Sequence, residues 1–435
     1  MRPESVRTAV LRPRWRTAAL VLVAAGGLLA GAALFARDPV VLFVALPLLL
    51  APVAALLEAP STTSRAEVSW AATGSVDTVA IEGRISLGPG LAPAGVDVTF
   101  FRPEPLLERA PPRLRRDADG SLGFDLDWRA PYPCLATVPL PEVVWRDRLG
   151  LLERRVAVDG TGLAIERFPP ELARLGSTRL RRTAPVPGEV RSKTVGGGGE
   201  FFALRASVPS DTPRQINWRA TARAGRLVAN DYLLERTGDL LLLLDLRPTP
   251  LGAARDRRLL AISAAAALGM ATGFLGEKSR VGLGLFDEFL TAVPLGTGRL
   301  QRYRLHRALE RAALAATPGP SERFAASLRR FFPPGVTTVL FSSLADDSTL
   351  VLLSHLRRRG YAPIVLSPSP LPLLAGAGRE APDDAALADR LLALVRRHQL
   401  GLAWQEAPVI DWPDYWSLVG FARFLERPMV AGRST

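Results

Sequence analysis

Asp211-Thr-Pro-Arg-Gln-Ile-Asn-Trp-Arg-Ala-Thr-Ala-Arg-Ala-Gly-Arg226 leads, through Leu227 to Gly238, into Asp239-Leu-Leu-Leu-Leu-Leu-Asp245. In the first part, five charged or amide side chains (Arg214, Asn217, Arg219, Arg223 and Arg226) surround one tryptophan, Trp218. In the second, successive leucines between two aspartates read as a strand buried on both faces, the texture of a central strand in a parallel sheet. A surface linker would carry neither.

Downstream of Asp245 apolar strands alternate with helical stretches. Leu251 to Leu275, rich in Ala and Leu, reads as a helix with Gly276 as its stop, Arg280 to Phe286 as a strand, and Arg299 to Ala316 and Pro320 to Phe332 as helices. Val336 to Ser342 and Ala362 to Leu366 read as strands, with Asp346 to Arg359 and Asp383 to His398 as helices. The tail from Leu402, with Trp404, Trp412 and Trp416, supplies another strand and helix. This pattern predicts an α/β parallel-sheet domain over 239–435, with sites at the carboxyl ends of its strands: Asp245 to Thr249, Asp287 to Glu288, and Ser342 to Asp347.

Upstream the texture changes. From Ala66 to Phe168 short alternating segments predict an all-β, sandwich-like antiparallel domain, with strands at Glu67–Ala72, Thr78–Leu87, Val96–Phe101, Leu122–Trp128, Leu135–Asp147 and Leu163–Phe168. Gly88 to Ala94 and Leu106 to Gly120 read as loops, the second because of Pro111, Pro112 and its charges. Trp145-Arg-Asp-Arg-Leu-Gly-Leu151 reads as a structural turn. Residues 169–238 form the linker and signature segment. Within it Val195-Gly-Gly-Gly-Gly-Glu200 lacks the Gly-Lys-Ser/Thr of a phosphate loop and reads as flexible.

At the amino terminus, a basic segment over 1–16 precedes Thr17–Ala36 and Val40–Leu57, uncharged runs of 20 and 18 residues separated by Arg37-Asp38-Pro39. As helices they reach about 27 to 30 Å, the thickness of a bilayer core. A two-helix transmembrane hairpin over 17–58 follows, with Gly26, Gly27 and Gly31 available for close approach. The arginines before the first span place the amino terminus, and so the soluble domains, on the cytoplasmic side of the cell membrane. One cysteine, Cys134, and three scattered histidines argue against a disulfide or a zinc site. The net charge of +13 is almost wholly arginine and has two readings, coding bias or a surface for anionic lipid or nucleic acid.

The residues resemble the family carrying the domain of unknown function 58 (DUF 58), membrane-associated proteins of bacteria and archaea. Asp147-Arg-Leu-Gly-Leu151 is similar to its Asp-Pro-Phe/Leu-Gly-Leu turn, Arg205 to Asp211 to its Leu-Arg-x-Tyr-x-Pro-Gly-Asp segment, and Arg214 to Arg223 to its Arg-x-Ile-x-Trp-x-Ala-Ser-Ala-Arg signature. The resemblance spans most of the chain after Ala59 together with the paired spans. It implies that Leu241 to Asp245 opens a domain similar to von Willebrand factor A. It also implies a MoxR-type AAA+ ATPase as partner, a role in assembling or maturing other proteins, and no established enzymatic activity.

Such a domain typically carries a metal-ion-dependent adhesion site, Asp-x-Ser-x-Ser with a threonine and an aspartate from later loops. Here Asp245 and Thr249 match, Arg247 stands at the first serine, Phe341-Ser342-Ser343-Leu344 lacks the aspartate, and Thr297 is the candidate second-loop threonine. Magnesium needs oxygen ligands with carboxylate charge, and a guanidinium takes the cation's place. The site is expected to be degenerate and the chain to need no metal or cofactor; alternatively Asp245 merely caps the following helix.

The function expected is a membrane-tethered, non-enzymatic protein-interaction module, with Arg214, Asn217, Trp218, Arg219, Arg223, Asp245, Arg247, Thr249, Ser342 and Ser343 as partner-binding candidates. The competing reading of the signature has Trp218 filling a joint between domains while its arginines pair with acids such as Glu235 and Asp239. A magnesium-dependent adhesion-type protein is the alternative function. A hydrolase lacks a Gly-x-Ser-x-Gly elbow, and a nucleic-acid binder lacks a recognition helix or stacking motif.

Overall fold

The computed structural model describes residues 14–61, 64–92, 95–177, 183–184, 190–196, 200–316, 320–373, 382–418, 421 and 425. The chain divides into two compact units, Met1–Pro131 with Ala136–Ile165, and Tyr132–Leu135 with Glu166–Thr435.

The first unit opens with two apolar helices, α1 (Thr17–Ala36) and α2 (Pro39–Glu58), each long and apolar enough to cross a membrane and anchor the chain there. Their reversal is local chemistry. Arg37 closes α1 in the left-handed region (φ 52°), the Asp38 carboxylate accepts from Val40 N–H at 2.8 Å, and Pro39 takes the first helical position, where no N–H is needed. Leu28, Leu34, Phe35, Phe43 and Leu57 point outward, as lipid-facing side chains must. Of the three glycines expected at the seam, Gly26 alone sits in close approach: a Cβ there would lie 2.9 Å from Leu49, whereas Gly27 and Gly31 face open space.

The strand-rich part comprises β1 (Arg14–Trp15), β2 (Arg65–Thr73), β3 (Thr78–Leu87), β4 (Val96–Thr99), β5 (Leu107–Arg116), β6 (Leu122–Arg129), β7 (Cys134–Val138), β8 (Glu142–Arg146), β9 (Leu152–Asp159) and β10 (Leu163–Arg167). They form a curled sheet ordered β4-β8-β9-β2-β3-β6-β5, with β1 on β9 and a separate β7–β10 pair. Ile81, Ile85, Phe124 and Leu126 fill its core. Three expectations need correction. The sheet is not wholly antiparallel, since β2 and β9 pair in parallel: residues 74–151 supply β3 to β6 and β8 and return the chain in β2's own direction. Leu106 to Gly120 is not a loop but contains β5, an exposed strand at the end of the sheet order where Pro111 and Pro112 are tolerated at a register shift between Ala110 and Arg113. The expected strand Leu135–Asp147 is broken into β7 and β8 around Pro139 and Pro141, while β9 went unrecognised.

The second unit contains α3 (Pro170–Arg174), β11 (Thr183–Ala184), β12 (Val190–Gly196), β13 (Glu200–Ala206), α4 (Trp218–Ala224) and β14 (Val228–Asp245). It continues with α5 (Ala253–Gly276), β15 (Arg280–Phe286), β16 (Leu290–Gly296), α6 (Gly298–Glu310), α7 (Ser321–Phe331), β17 (Thr337–Phe341), α8 (Ser348–Arg358), β18 (Pro363–Pro368), α9 (Pro382–Glu406) and β19 (Val409–Trp412). Its organising element is β14, an 18-residue strand and not the seven residues read from the leucines. The first half pairs antiparallel with β11, β12 and β13; the second lies between β15 and β17, parallel to both. Residues 169–238 therefore do more than link, although Gly197 to Gly199 lie outside the described residues.

The main sheet runs β16-β15-β14-β17-β18-β19. It is mixed, because β16 is antiparallel to β15: the three residues Asp287–Phe289 between them suffice for a hairpin but not for a crossover. The leucines divide by face. Leu240, Leu242 and Leu244 pack with Ile262, Leu268 and Phe274 of α5, and Leu241 and Leu243 with Phe324 and Leu328 of α7 and Leu352 and Leu356 of α8. The α5 helix is also apolar enough to span a membrane, but it is largely buried against the sheet. Helix α6 ends at Glu310, short of the expected Ala316, and α9 runs on to Glu406.

Candidate functional site

The signature segment folds onto the first half of β14. Asn217 caps α4, its Oδ1 accepting from Ala220 N–H at 2.9 Å, and donates through Nδ2 to Asn230 Oδ1 at 2.8 Å. Thr221 Oγ1 accepts from Val228 N–H at 3.0 Å, and Gly225 (φ 63°) ends the helix in the left-handed conformation. Upstream, Arg205 clasps two acids. It donates to both oxygens of Asp211 at 2.8 and 2.6 Å and to Asp231 at 2.7 Å, while Val208 N–H adds a 2.8 Å bond to Asp211. The Arg205 hydrogen bonds, then the Val208 N–H, hold the Asp211 carboxyl well below the usual carboxylate range. In the sequence, the signal for this clasp is an arginine and an aspartate bracketing a Pro-Ser turn.

On this braced backbone the candidate side chains face solvent. Trp218 is 63% exposed, so it is not a core filler. Arg214, Arg219 and Arg223 are exposed and form no ion pair among the described residues. Asp239, offered as a partner for them, is instead held by Arg280 through two 2.7 Å bonds. The Glu235 side chain lies outside the described residues.

A second group sits at the carboxyl end of β14, 28 residues beyond Asn217 in sequence. Arg247 donates from Nε and Nη2 to Asp245 at 2.8 and 2.6 Å, both side chains being buried, and its guanidinium carbon lies 4.6 Å from the centre of the Phe286 ring. Ser342, just past β17, and Thr349 of α8 reach the same carboxylate oxygen at 3.2 and 3.3 Å. Asp245 therefore organises the loop and does not cap a helix. Thr349, missed in the sequence, completes the group that Asp245, Arg247 and Ser342 begin. Leu344 follows in the left-handed region (φ 49°), strained for a residue with a side chain.

The remaining candidates go elsewhere. Thr249 Oγ1 donates to buried Asp256 at 2.6 Å and so braces the start of α5. Ser343 contributes its carbonyl to Arg396, a buried arginine of α9 that also reaches Ser367. Thr297 stands exposed before α6, beside Gly296, which pairs with Val281 at the amino end of β15, whereas Asp245 pairs with Phe286 at the carboxyl end. Thr297 is thus at the wrong end of the sheet for a shared cation. No three acidic, histidine or cysteine side chains gather into a metal-binding group among the described residues. Beside the carboxyl edge lies an open groove of about 840 Å³ lined by residues of β16 and α6, with Leu246, Leu285, Asp287, Glu288, Arg304, Arg307 and Arg311 among them.

Two apolar helices, a strand-rich unit and an α/β unit built on a mixed sheet thus define the class. Residues 203–332, from the middle of β13 through α7, match the model of a family described as "Protein of unknown function DUF58". This is a narrower stretch than the resemblance read from the sequence. No curated protein matches the chain. Among solved structures, an aerotolerance-related membrane protein from Bacteroides fragilis NCTC 9343 with multiple mutations to serines is similar at 16% identity over 30% of this chain and 67% of that one. The TM-score is 0.22, a likeness too slight to bear on fold or function.

Proposed function

We propose that the chain is a membrane-tethered, non-catalytic protein-interaction module acting on the cytoplasmic side, its α/β unit similar to von Willebrand factor A. A MoxR-type AAA+ ATPase is the partner class, and assembly or maturation of other proteins the process served. The observation that carries this reading is the display of Trp218, Arg214, Arg219 and Arg223. A tryptophan and arginines without an ion pair among the described residues, carried on a backbone that Asn217, Thr221 and the Arg205 clasp already order, suit a binding hot spot, since no backbone ordering is left for a partner to induce.

The magnesium-dependent alternative is disfavoured by Arg247, whose guanidinium already satisfies both oxygens of Asp245. A thiol hydrolase is disfavoured by burial of Cys134, which pushes its thiol up to about 12. A photo-crosslinking residue at Ala222, between Arg219 and Arg223 on the exposed side of α4, tests the proposal in native membranes. The expected result is one specific adduct, lost in Arg219→Glu and Arg223→Glu variants of unchanged melting temperature. An adduct pattern indifferent to these charges would overturn it.

A further inference from the structure

In the first unit one tight turn meets the ends of both membrane helices. Asp147-Arg-Leu-Gly-Leu151 joins β8 to β9. Its Asp147 carbonyl accepts from Gly150 N–H at 3.0 Å, and the buried Asp147 carboxylate accepts from Leu149 N–H at 3.0 Å and Leu152 N–H at 2.6 Å. Gly150 (φ 66°) takes the left-handed position that the turn requires. The turn is braced from within, so its tip projects: Leu149 is 61% exposed and the Arg148 side chain 90% exposed.

The bilayer's position follows from the neighbours of this tip. Arg16, the residue before α1, donates its N–H to Leu151 carbonyl at 3.0 Å, and Arg14–Trp15 pair with Leu152–Glu153 of β9. Glu58, the last residue of α2, accepts from Arg148 N–H at 3.4 Å, and Arg154 of β9 donates to the Pro60 carbonyl. Both helix ends are places where the chain leaves the hydrocarbon, so the turn lies at the level of the headgroups. Its residue types suit that layer: an exposed leucine, exposed Arg148 and Arg16, and the partly exposed indole of Trp15. Glu58 stands 4.0 Å from Arg148 Nε and leaves that guanidinium open.

We propose that this turn is a lipid anchor, in which Leu149 seats in the interfacial layer of the bilayer and Arg148, with Arg16, binds the phosphates of anionic lipids. The sheet strands that leave the turn, β8 and β9, are thereby set at a fixed height on the membrane. This goes beyond the protein-binding proposal and uses none of its residues.

The test uses the full chain in bilayer nanodiscs. Because Cys134 is buried, with its thiol pushed up to about 12, a cysteine introduced as Leu149→Cys is labelled alone with an environment-sensitive fluorophore. Val76→Cys is the reference, since β2 runs parallel to β9 and carries Val76, in the turn after it, away from the tip. Nitroxide lipids should quench the label at 149 strongly and that at 76 little. Adding Arg148→Gln should lower the docked-to-undocked ratio about fivefold in bilayers rich in anionic lipid, and hardly at all in zwitterionic ones. Continued resistance of Cys134 to maleimide confirms that the variants fold. Equal quenching at the two positions would overturn the proposal, as would indifference to Arg148→Gln. Shielding of the 149 label from both nitroxide lipid and aqueous iodide would place a protein on the turn and overturn it too.

Discussion

Arg247 and Asp245, two residues apart, close on each other through two guanidinium bonds of 2.8 and 2.6 Å inside the carboxyl edge of the sheet. A divalent cation there would have to displace a buried, paired arginine. Magnesium in the millimolar range is therefore expected to leave the melting temperature of the wild-type chain unchanged. Arg247→Ser strands the Asp245 carboxylate and should cost about 3–5 kcal/mol. With the Ser342 and Thr349 hydroxyls still beside that carboxylate, magnesium should restore part of the loss in the variant alone. Calorimetry with magnesium or chelator checks both, and a magnesium-dependent rise in the wild type would contradict the assignment.

At the other end of the leucine run, Asp239 is 1% exposed and held by Arg280. Arg280→Gln leaves a buried charge without its ion pair and should destabilise the chain by about 3–5 kcal/mol, whereas Asp239→Asn combined with Arg280→Gln should recover much of that. Denaturant titration of the two singles and the double closes the cycle. Additive effects would show that the pair is not coupled.

These two pairs also mark what the sequence could and could not disclose. Five leucines between aspartates announced a doubly buried strand, because burial on both faces leaves no other composition. Nothing in Val228 to Gly238 announced that the same strand starts eleven residues earlier, since its first half is stabilised by partners on β13 rather than by its own pattern. The prolines of β5 and the edge strand β16 were misread or missed for the same reason: sheet edges obey pairing geometry more than composition. At the site, Asp245 and Arg247 were legible because they are near neighbours in sequence. Thr349, 104 residues away, was not, and Thr297 misled because only the register shows which end of the sheet it occupies.

The Arg205 clasp predicts a pH dependence. The folded Asp211 carboxyl lies below its ordinary value, so the stability it contributes is complete above the ordinary carboxylate pKa near 4 and is lost progressively as pH falls from there through the lower folded value. Amide exchange over 203–231 in the full chain, corrected for intrinsic rate, should stay slow from neutral pH to about pH 5 and rise progressively as pH falls below about 4. In Asp211→Asn the same amides should exchange faster at neutral pH. Wild-type loosening already complete near pH 5 would reverse the sign and refute the clasp.

Two glycines of α5 give an internally controlled prediction about packing. Gly273 faces α3: a Cβ there would lie 2.3 Å from the Ala173 carbonyl oxygen, and reciprocally one on Gly176 would lie 2.1 Å from the Gly273 oxygen. The clashing atoms are backbone, which cannot swing aside, so Gly273→Ala must push α3 away and should cost about 1–3 kcal/mol. Gly276, three residues on in the same helix, has nothing within 4 Å of its Cβ position. There the substitution meets no clash and removes glycine's excess unfolded-state freedom, so Gly276→Ala should be neutral or stabilising by up to about 1 kcal/mol. Denaturant midpoints of the two variants should fall on opposite sides of, or one at, the wild-type value. Equal destabilisation would mean that the approach of α3 is not what Gly273 is there to permit.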